Sequence, residues 1–245
     1  MDIEYRKKEN GGKHSAINYS HGFIRGKYCI VLDSDDTFIP TAVEIIIEKW
    51  KKYQDNPEVG QIIFLKGYSE SEPICTVLHE DTVVDTVKEK RIGKDGRDCA
   101  DSFKTELFTK HKFPVFEGEK FIGEGSATFF IELESKGVYF NKVIYLCAYR
   151  EDGLTKAGKK MRILNPRGGM FNSKVYMHRK LPLKTRLKKA VLYVCYSKFA
   201  KMKFGEALKE SGHKFLVLLA AIPGWCLYLY WKKKYLKHGK GEGNE

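Results

Sequence analysis

A short apolar run that ends abruptly in carboxylates is the feature that most restricts the fold of this chain. Residues Tyr28–Leu32 are apolar, and the sequence continues as Asp33–Asp36 with the letters DSDD. An apolar run of this length is typical of a strand buried on both faces of a sheet. We therefore predict a strand that carries a cluster of carboxylates at its end.

Periodic segments farther along predict an α/β fold. A helix is expected from Pro40 to about Lys52, because proline suits a first turn and apolar residues follow at helical spacing. Those apolar residues are Val43, Ile46, Ile47 and Trp50. Further elements are strands at Gln61–Leu65, Cys75–Leu78 and Val138–Cys147 and a helix around Gly125–Ser135. Alternating strands and helices favour a mostly parallel sheet that binds ligands at the carboxyl ends of its strands.

The acidic cluster suggests a cation site. Carboxylates this close repel one another, so a divalent metal with a phosphorylated ligand would stabilise them. The alternative is that Ser34 and Asp36 only cap the turn before the Pro40 helix. Upstream, Glu9–Asn18 (ENGGKHSAIN) places a glycine pair before a short helix, where free amides and Lys13 could receive an anion. Taken alone, the glycine pair could equally form a simple turn.

The segments ENGGKHSAIN and YCIVLDSDD, with the turn His21-Gly22 between them, resemble the bacterial family 2 glycosyltransferases of the GT-A fold. The resemblance implies a nucleotide-diphospho-sugar donor, UDP- or GDP-linked. It implies that Asp33 lies near the ribose and that Asp35 coordinates Mg²⁺ or Mn²⁺ at the diphosphate. The residues it assigns to the donor side are Asn10, Gly11, Lys13 and Asn18. Family membership also suggests transfer with inversion.

The resemblance covers most of residues 1–170. Its later blocks are Phe116–Glu124, Tyr149–Thr155 and Arg162–Pro166. Many family members have Glu-Asp at the acceptor motif, with the Asp as the base, whereas this chain has Glu124-Gly125. Glu124 is then the candidate base, since a carboxylate can accept the proton of an attacking hydroxyl. The alternative is that Glu124 only caps the helix that follows it.

The family's first strand–helix–strand unit has no counterpart in this sequence, because Met1 corresponds to an internal position shortly before ENGGK. Without those strands the sheet would expose apolar edges. We expect a truncated gene model, a split gene or a decayed copy. One alternative function is therefore a catalytically inactive GT-A remnant that binds a partner or a membrane.

A rival enzyme class is a haloacid-dehalogenase-like phosphatase, because Asp33–Thr37 also matches its DxDxT pattern. Asp33 would then attack phosphorus and Asp35 would act as acid and base. Such enzymes need a later acidic pair, and no Asp-Asp follows residue 37. The ENGGKHSAIN segment would also remain unexplained.

The charge of the chain is unevenly distributed. Of the net charge of +13, residues 151–245 hold 22 basic and 6 acidic side chains, whereas residues 1–150 hold 22 basic and 25 acidic ones. An apolar helical stripe at Leu187, Ala190, Val191, Val194 and Cys195 has basic neighbours. This pattern suits a helix on an anionic membrane surface, and the alternative is packing on its own domain. Nucleic acid is not expected, because no recognised binding module is present.

The stretch Phe215–Trp231 is nearly free of polar groups, is slightly short for a span and is interrupted by Pro223-Gly224. Flanking lysines and aromatic residues favour monotopic or peripheral attachment to the cytoplasmic side of the cell membrane. The alternative is a helical hairpin buried in a homodimer interface. Single scattered cysteines and the absence of a secretory signal agree with a cytoplasmic location. The acceptor would then be a cell-surface glycan or a lipid-linked sugar.

These observations predict four segments. They are a partial GT-A glycosyltransferase domain at 1–170, a basic helical connector at 171–212, a hydrophobic membrane-associating segment at 213–236 and a polar tail at 237–245.

Overall fold

A computed structural model of the protein describes residues 2–75, 79–89, 99–147 and 154–236. The chain forms two compact units. The helical unit comprises Met1–Tyr19, Phe113–Ser126 and Leu154–Glu245, and the sheet unit comprises Ser20–Lys112 and Ala127–Gly153. The predicted segment boundaries after residues 170, 212 and 236 stay a prediction. The polar tail, most of Tyr149–Thr155 and residues 76–78 of the predicted Cys75–Leu78 strand lie outside the described residues.

The sheet unit contains a mixed sheet. Its strands are β1 (Tyr28–Ile30), β2 (Thr37–Phe38), β3 (Val59–Ser69), β4 (Glu72–Pro73), β5 (Val83–Val84), β6 (Cys99–Lys104) and β7 (Lys136–Leu146). The main path runs β1-β6-β3-β7-β2, with β4 paired to β3 and β5 paired to β7. The predicted strands at Gln61–Leu65 and Val138–Cys147 are confirmed as β3 and β7.

The expectation of a mostly parallel sheet is wrong. Among the described strands only β3 and β7 run parallel, with Ile62 opposite Val138. The reason is β6, which inserts between β1 and β3 and is antiparallel to both. The strand predicted at 28–32 is also shorter than expected and half-buried, because β1 lies at the end of the strand order.

The helices of the chain are α1 (Lys13–Ser20), α2 (Ala42–Tyr53), α3 (Thr86–Glu89), α4 (Thr105–Lys110), α5 (Gly125–Glu134), α6 (Leu154–Leu164), α7 (Pro166–Val175), α8 (Leu183–Phe199), α9 (Phe204–Ser211), α10 (Lys214–Leu219) and α11 (Ala221–Trp231). A π-helical turn, Lys232–Leu236, continues α11. The helix expected around Gly125–Ser135 is confirmed as α5.

Helix α2 covers one face of the sheet, and fewer of its apolar residues are buried there than the sequence predicted. It buries Ile46 and Trp50, whereas Val43 and Ile47 are about half-exposed. Trp50 is fully buried, stacks on Tyr28 with ring centroids 4.0 Å apart, and donates its indole N–H to Ser102 Oγ at 2.8 Å. This contact fixes α2 to β1 and β6.

The helical unit has its own core, built around α8. Ala190, Tyr193, Val194 and Cys195 are each at most 1% exposed and pack with residues of α7, α9, α10 and α11. The expectation that this stripe lies on a membrane is therefore wrong, since packing within its own unit already covers it. Tyr193 also donates its hydroxyl hydrogen bond to the carbonyl of Ala207, 2.9 Å away.

Helices α10 and α11 divide into a buried face and an exposed apolar face. The buried face includes Leu216, Val217 and Gly224, and a side chain at Gly224 would overlap Val194 of α8. The exposed apolar face consists of Phe215, Leu218, Leu219, Ile222, Trp225, Leu229 and Tyr230. In the described part of the chain, no helix is both long and apolar enough to cross a membrane.

The Trp50–Ser102 hydrogen bond gives a test of this packing. Ser102→Ala should cost about 1–3 kcal/mol of unfolding free energy, because the buried indole N–H loses its acceptor. The same substitution in a Trp50→Phe background should cost little, since no N–H remains to be orphaned. Urea unfolding of wild type, the two single variants and the double variant measures the difference. Equal losses of unfolding free energy in both backgrounds would contradict the Trp50–Ser102 hydrogen bond.

Candidate active site

The acidic cluster forms a tight turn in the sheet unit. The backbone N–H of Asp36 donates to the carbonyl of Asp33 at 3.1 Å, and β2 begins directly afterwards. Asp35 is exposed at the tip, whereas Asp33 and Asp36 are half-buried. The turn therefore gives different environments to three carboxylates that lie within four residues of sequence.

Tyr145 of β7 holds this turn in place. Its hydroxyl accepts the backbone N–H of Asp33 at 3.0 Å and also hydrogen-bonds the carboxylate of Asp36. Burial is the main reason that the pKa of Tyr145 is raised, and the neighbouring carboxylates add to it. The hydroxyl thus stays protonated and keeps Asp36 engaged. Sequence analysis missed Tyr145, because nothing in the sequence relates it to a turn more than a hundred residues away.

The turn fits a divalent metal that shares its ligands with a substrate. The described residues contain no group of three or more His, Cys, Asp or Glu side chains that could hold a metal by themselves. Mg²⁺, however, is commonly bound by one or two carboxylates together with substrate phosphates and water. The exposed carboxylate of Asp35 is a ligand of this type, and the metal itself stays a prediction.

The glycine pair shapes the start of α1 in the helical unit. Asn10 Oδ1 accepts the backbone N–H of Gly12 at 3.1 Å, and the carbonyl of Gly12 accepts the N–H groups of Ser15 and Ala16. Gly12 has a φ of +86°, and a Cβ there would overlap the carbonyl oxygen of Lys120. The conformation therefore requires glycine at position 12, whereas sequence analysis singled out Gly11.

Asn18 ties α1 to the segment that precedes the acceptor motif. Its side-chain nitrogen donates to the carbonyl of Phe113 at 2.8 Å, and its side-chain oxygen accepts the Phe113 N–H at 2.9 Å. These bonds use the Asn18 amide to hold two segments of the same chain together. Its predicted place on the donor side stays a prediction.

Two side chains that sequence analysis missed fix the other side of this segment. The carboxylate of Glu119 accepts the backbone N–H groups of Arg167 and Gly168, both at 2.8 Å, and so caps the start of α7. Asn165 accepts the N–H groups of Lys120 and Phe121 at 2.8 and 3.1 Å. A cap supplied from more than forty residues away leaves no local signature in the sequence.

The structure brings Lys13 and Glu124 together. Lys13 Nζ lies 2.7 Å from Glu124 Oε1, and the Glu124 side chain is 54% exposed. The N–H of Ser126 at the start of α5 is bound by the carbonyl of Gly123, not by the Glu124 carboxylate. The Ser126 amide is therefore not capped by Glu124. The carboxylate instead points to solvent, oriented by an ammonium group.

Tyr176 accounts for the glycine that follows Glu124. Its hydroxyl donates to the carbonyl of Gly125 at 2.9 Å, and a Cβ at Gly125 would lie 2.5 Å from that hydroxyl. The Asp that many members of the resembled family have here would displace the Tyr176 hydroxyl from the Gly125 carbonyl.

Comparison with known proteins supports the resemblance for the first third of the chain. Residues 2–80 match the family model of glycosyl transferase family 2. The match includes the glycine turn, Lys13 and the acidic turn, and Glu124 lies beyond it. It supports glycosyl transfer as the general reaction, with a nucleotide-sugar donor and an acceptor as substrates. Among the curated proteins searched, none matches the chain.

Two effects favour glycine at position 12, the overlap of a Cβ with the Lys120 carbonyl and the positive φ, and comparison with a second glycine separates them. Gly12→Ala should destabilise the protein by clearly more than Gly118→Ala. Gly118 also has a positive φ, +74°, but open space around its Cβ position. Gly118→Ala should cost roughly 1–2 kcal/mol for the left-handed conformation alone. Urea unfolding measures both, and equal losses would show that the Lys120 backbone yields to a methyl group.

Proposed function

We propose that this protein is a glycosyltransferase that moves a sugar from a UDP- or GDP-linked donor to an acceptor hydroxyl in cell-surface polysaccharide or glycolipid synthesis. The observation that carries the proposal is the Lys13–Glu124 ion pair. Lys13 lies within the residues that match the glycosyltransferase family model, and Glu124 is the carboxylate that the acceptor motif supplies outside that match. The contact thus links the matched region to a candidate base.

Glu124 is assigned the role of base. Its exposed carboxylate accepts the proton of the acceptor hydroxyl while that oxygen bonds to the sugar's anomeric carbon and the bond to the nucleoside diphosphate breaks. Lys13 fixes the direction of the carboxylate. The segment on both sides of Glu124 is bound to α1 and α7. The base is therefore already positioned before the reaction, and little conformational entropy has to be lost in the transition state.

Asp33 is assigned to the ribose of the donor and Asp35 to the metal at its diphosphate. The residues assigned to the donor side are Asn10, Gly11, Lys13 and Asn18. A Mg²⁺ or Mn²⁺ ion bound at Asp35 would neutralise negative charge on the departing diphosphate.

The roles assigned to Asp35 and Glu124 predict that substitution of each residue impairs a different step. Asp35→Ala should abolish Mn²⁺-dependent binding of UDP or GDP in calorimetry, because the exposed ligand at the turn is lost. Glu124→Gln should keep nucleotide binding yet lower the release of nucleoside diphosphate in the presence of acceptor by about 10²-fold or more.

Glu117→Gln is the matched control, since Glu117 is an exposed carboxylate on the same segment. It should behave as wild type in both assays. Folded wild-type protein that binds neither nucleotide would overturn the proposal and favour an inactive remnant.

The exposed apolar face of α10 and α11 supports attachment to the cytoplasmic side of a membrane. Phe215 and Ile222 are 73% and 76% exposed although α10 and α11 are packed on α8. A contiguous apolar patch of this kind on a protein surface marks an interaction site. Lys214 and Lys232–Lys234 flank it, and each lysine near an anionic bilayer adds about 1 kcal/mol of attraction. Trp225 and Tyr230 suit the boundary between lipid and water.

Vesicle flotation tests this attachment. Wild type should float with vesicles of phosphatidylglycerol and phosphatidylcholine, more strongly at low salt. Phe215→Asp combined with Ile222→Asp should remain in the soluble fraction, because both charges would enter the apolar layer. Val43→Asp, which changes a half-exposed apolar residue of the sheet unit, is the control and should float. Wild type that stays soluble at low and high salt would rule the attachment out.

A further inference from the structure

The sheet unit brings together two cysteines that are scattered singly in the sequence. All six cysteines of the chain are reduced, and Cys75 Sγ lies 3.6 Å from Cys99 Sγ. The two sulfurs are therefore in contact, although the residues are 24 positions apart. The S–S bond of a disulfide is about 2.05 Å long, so its formation requires each sulfur to move by only about 0.8 Å.

The register of β3 explains why these two thiols meet. Strand β7 occupies one edge of β3, so β4 and β6 both pair with the other edge. Along that edge, the N–H of Ile74, directly after β4, donates to the carbonyl of Lys66 at 2.9 Å. The neighbouring residue of β3, Leu65, lies opposite Cys99. Cys75 thus leaves the sheet edge at the position where Cys99 joins it.

The two thiols lie on an apolar surface of the sheet. Alternate side chains of β3 pack with α2 on one face and form a second apolar cluster on the other. Cys75 and Cys99 pack against that second cluster, which consists of Ile63, Leu65, Tyr139 and Val143. Both cysteines are half-buried. The cluster therefore holds the sulfurs in place on one side, while a small reagent can reach them from the other.

The environments of other cysteines favour selective reaction at this pair. Burial raises the pKa of Cys29 to about 11 and that of Cys195 to about 12, so both thiols stay protonated at neutral pH. Disulfide exchange requires a thiolate. Cys29 and Cys195 should therefore stay reduced under mild oxidation, whereas the exposed Cys226 reports the reactivity of an ordinary surface thiol.

We propose that Cys75 and Cys99 form a reversible disulfide by exchange with a small-molecule disulfide such as oxidised glutathione. The thiolate of one cysteine attacks a sulfur of the reagent, whose S–S bond breaks, and one reduced glutathione leaves. The second thiolate then attacks the protein sulfur of the mixed disulfide and releases the other glutathione. The protein loses two electrons and two protons, and both pass to the two glutathione molecules.

The disulfide would fix the part of the sheet that holds the acidic turn. Lys66, whose carbonyl binds the residue before Cys75, lies opposite Tyr145 of β7, and Tyr145 holds the turn. In the cytoplasmic location proposed above, protein disulfides are usually transient and sense the redox state. The inference does not depend on the proposed function. Asp35→Ala, which should lose nucleotide binding, should form the disulfide as wild type does.

Equilibration of the reduced full chain with mixtures of reduced and oxidised glutathione measures the disulfide. After acid quenching and labelling with N-ethylmaleimide, the intact mass should show two fewer labels, with glutathione adducts counted separately by their mass. Trypsin should release residues 67–88 linked to residues 98–104, the peptides that contain Cys75 and Cys99. The equilibrium constant for this link should be at least tenfold larger in the native chain than in urea, because the fold already places the sulfurs in contact. A smaller advantage, or a link chiefly to another cysteine, would overturn the proposal.

Urea unfolding gives an independent readout. Oxidised wild type should unfold at a higher urea concentration than reduced wild type, and dithiothreitol should reverse the shift, since the link restricts the unfolded chain. Cys75→Ser and Cys99→Ser should each show no shift.

Cys147→Ser is the matched control for this shift. Cys147 is also half-buried, and its N–H donates to the carbonyl of Gly67 near the same end of β3. Its variant should shift as wild type does. A shift that persists in Cys75→Ser, or one that is lost in Cys147→Ser, would overturn the assignment of the disulfide to Cys75 and Cys99.

Discussion

The pair of hydrogen bonds that the Glu119 carboxylate accepts from the first amides of α7 is the interaction on which the candidate active site depends. It caps a helix and at the same time anchors the segment that leads to Glu124. Asn165 and Asn18 bind the same segment by its backbone, and Gly12 allows α1 to approach it closely. These hydrogen bonds hold the segment that carries Glu124, and the ion pair with Lys13 orients its carboxylate.

Local patterns in the sequence predicted the elements better than their arrangement. The β3, β7 and α5 segments follow from apolar runs and spacing, since these reflect burial of each element by itself. The antiparallel insertion of β6 did not, because CADSFK lacks a clear apolar alternation and its partners lie far along the chain. In the site, Lys13 and Glu124 were predicted separately, and only the fold shows that they meet. Tyr145, Glu119 and Tyr176 act over long sequence distances and leave no local pattern.

The C-terminal helices show why an apolar stripe alone does not identify a membrane contact. The stripe on α8 and the stretch on α10 and α11 both look suitable from their residues and their basic neighbours. Packing separates them, because α8 occupies the centre of the helical unit, and Gly224 lets α11 pack closely against it. What remains outside is the apolar face of α10 and α11 that is exposed among the described residues.

The contact between Tyr176 and Gly125 makes two positions interdependent. A residue larger than glycine at 125 would displace the Tyr176 hydroxyl from the Gly125 carbonyl, and the tyrosine ring, which lies beneath the Lys189 ammonium, would move with it. A substitution at 125 would therefore alter contacts of α7 and α8 as well as the start of α5.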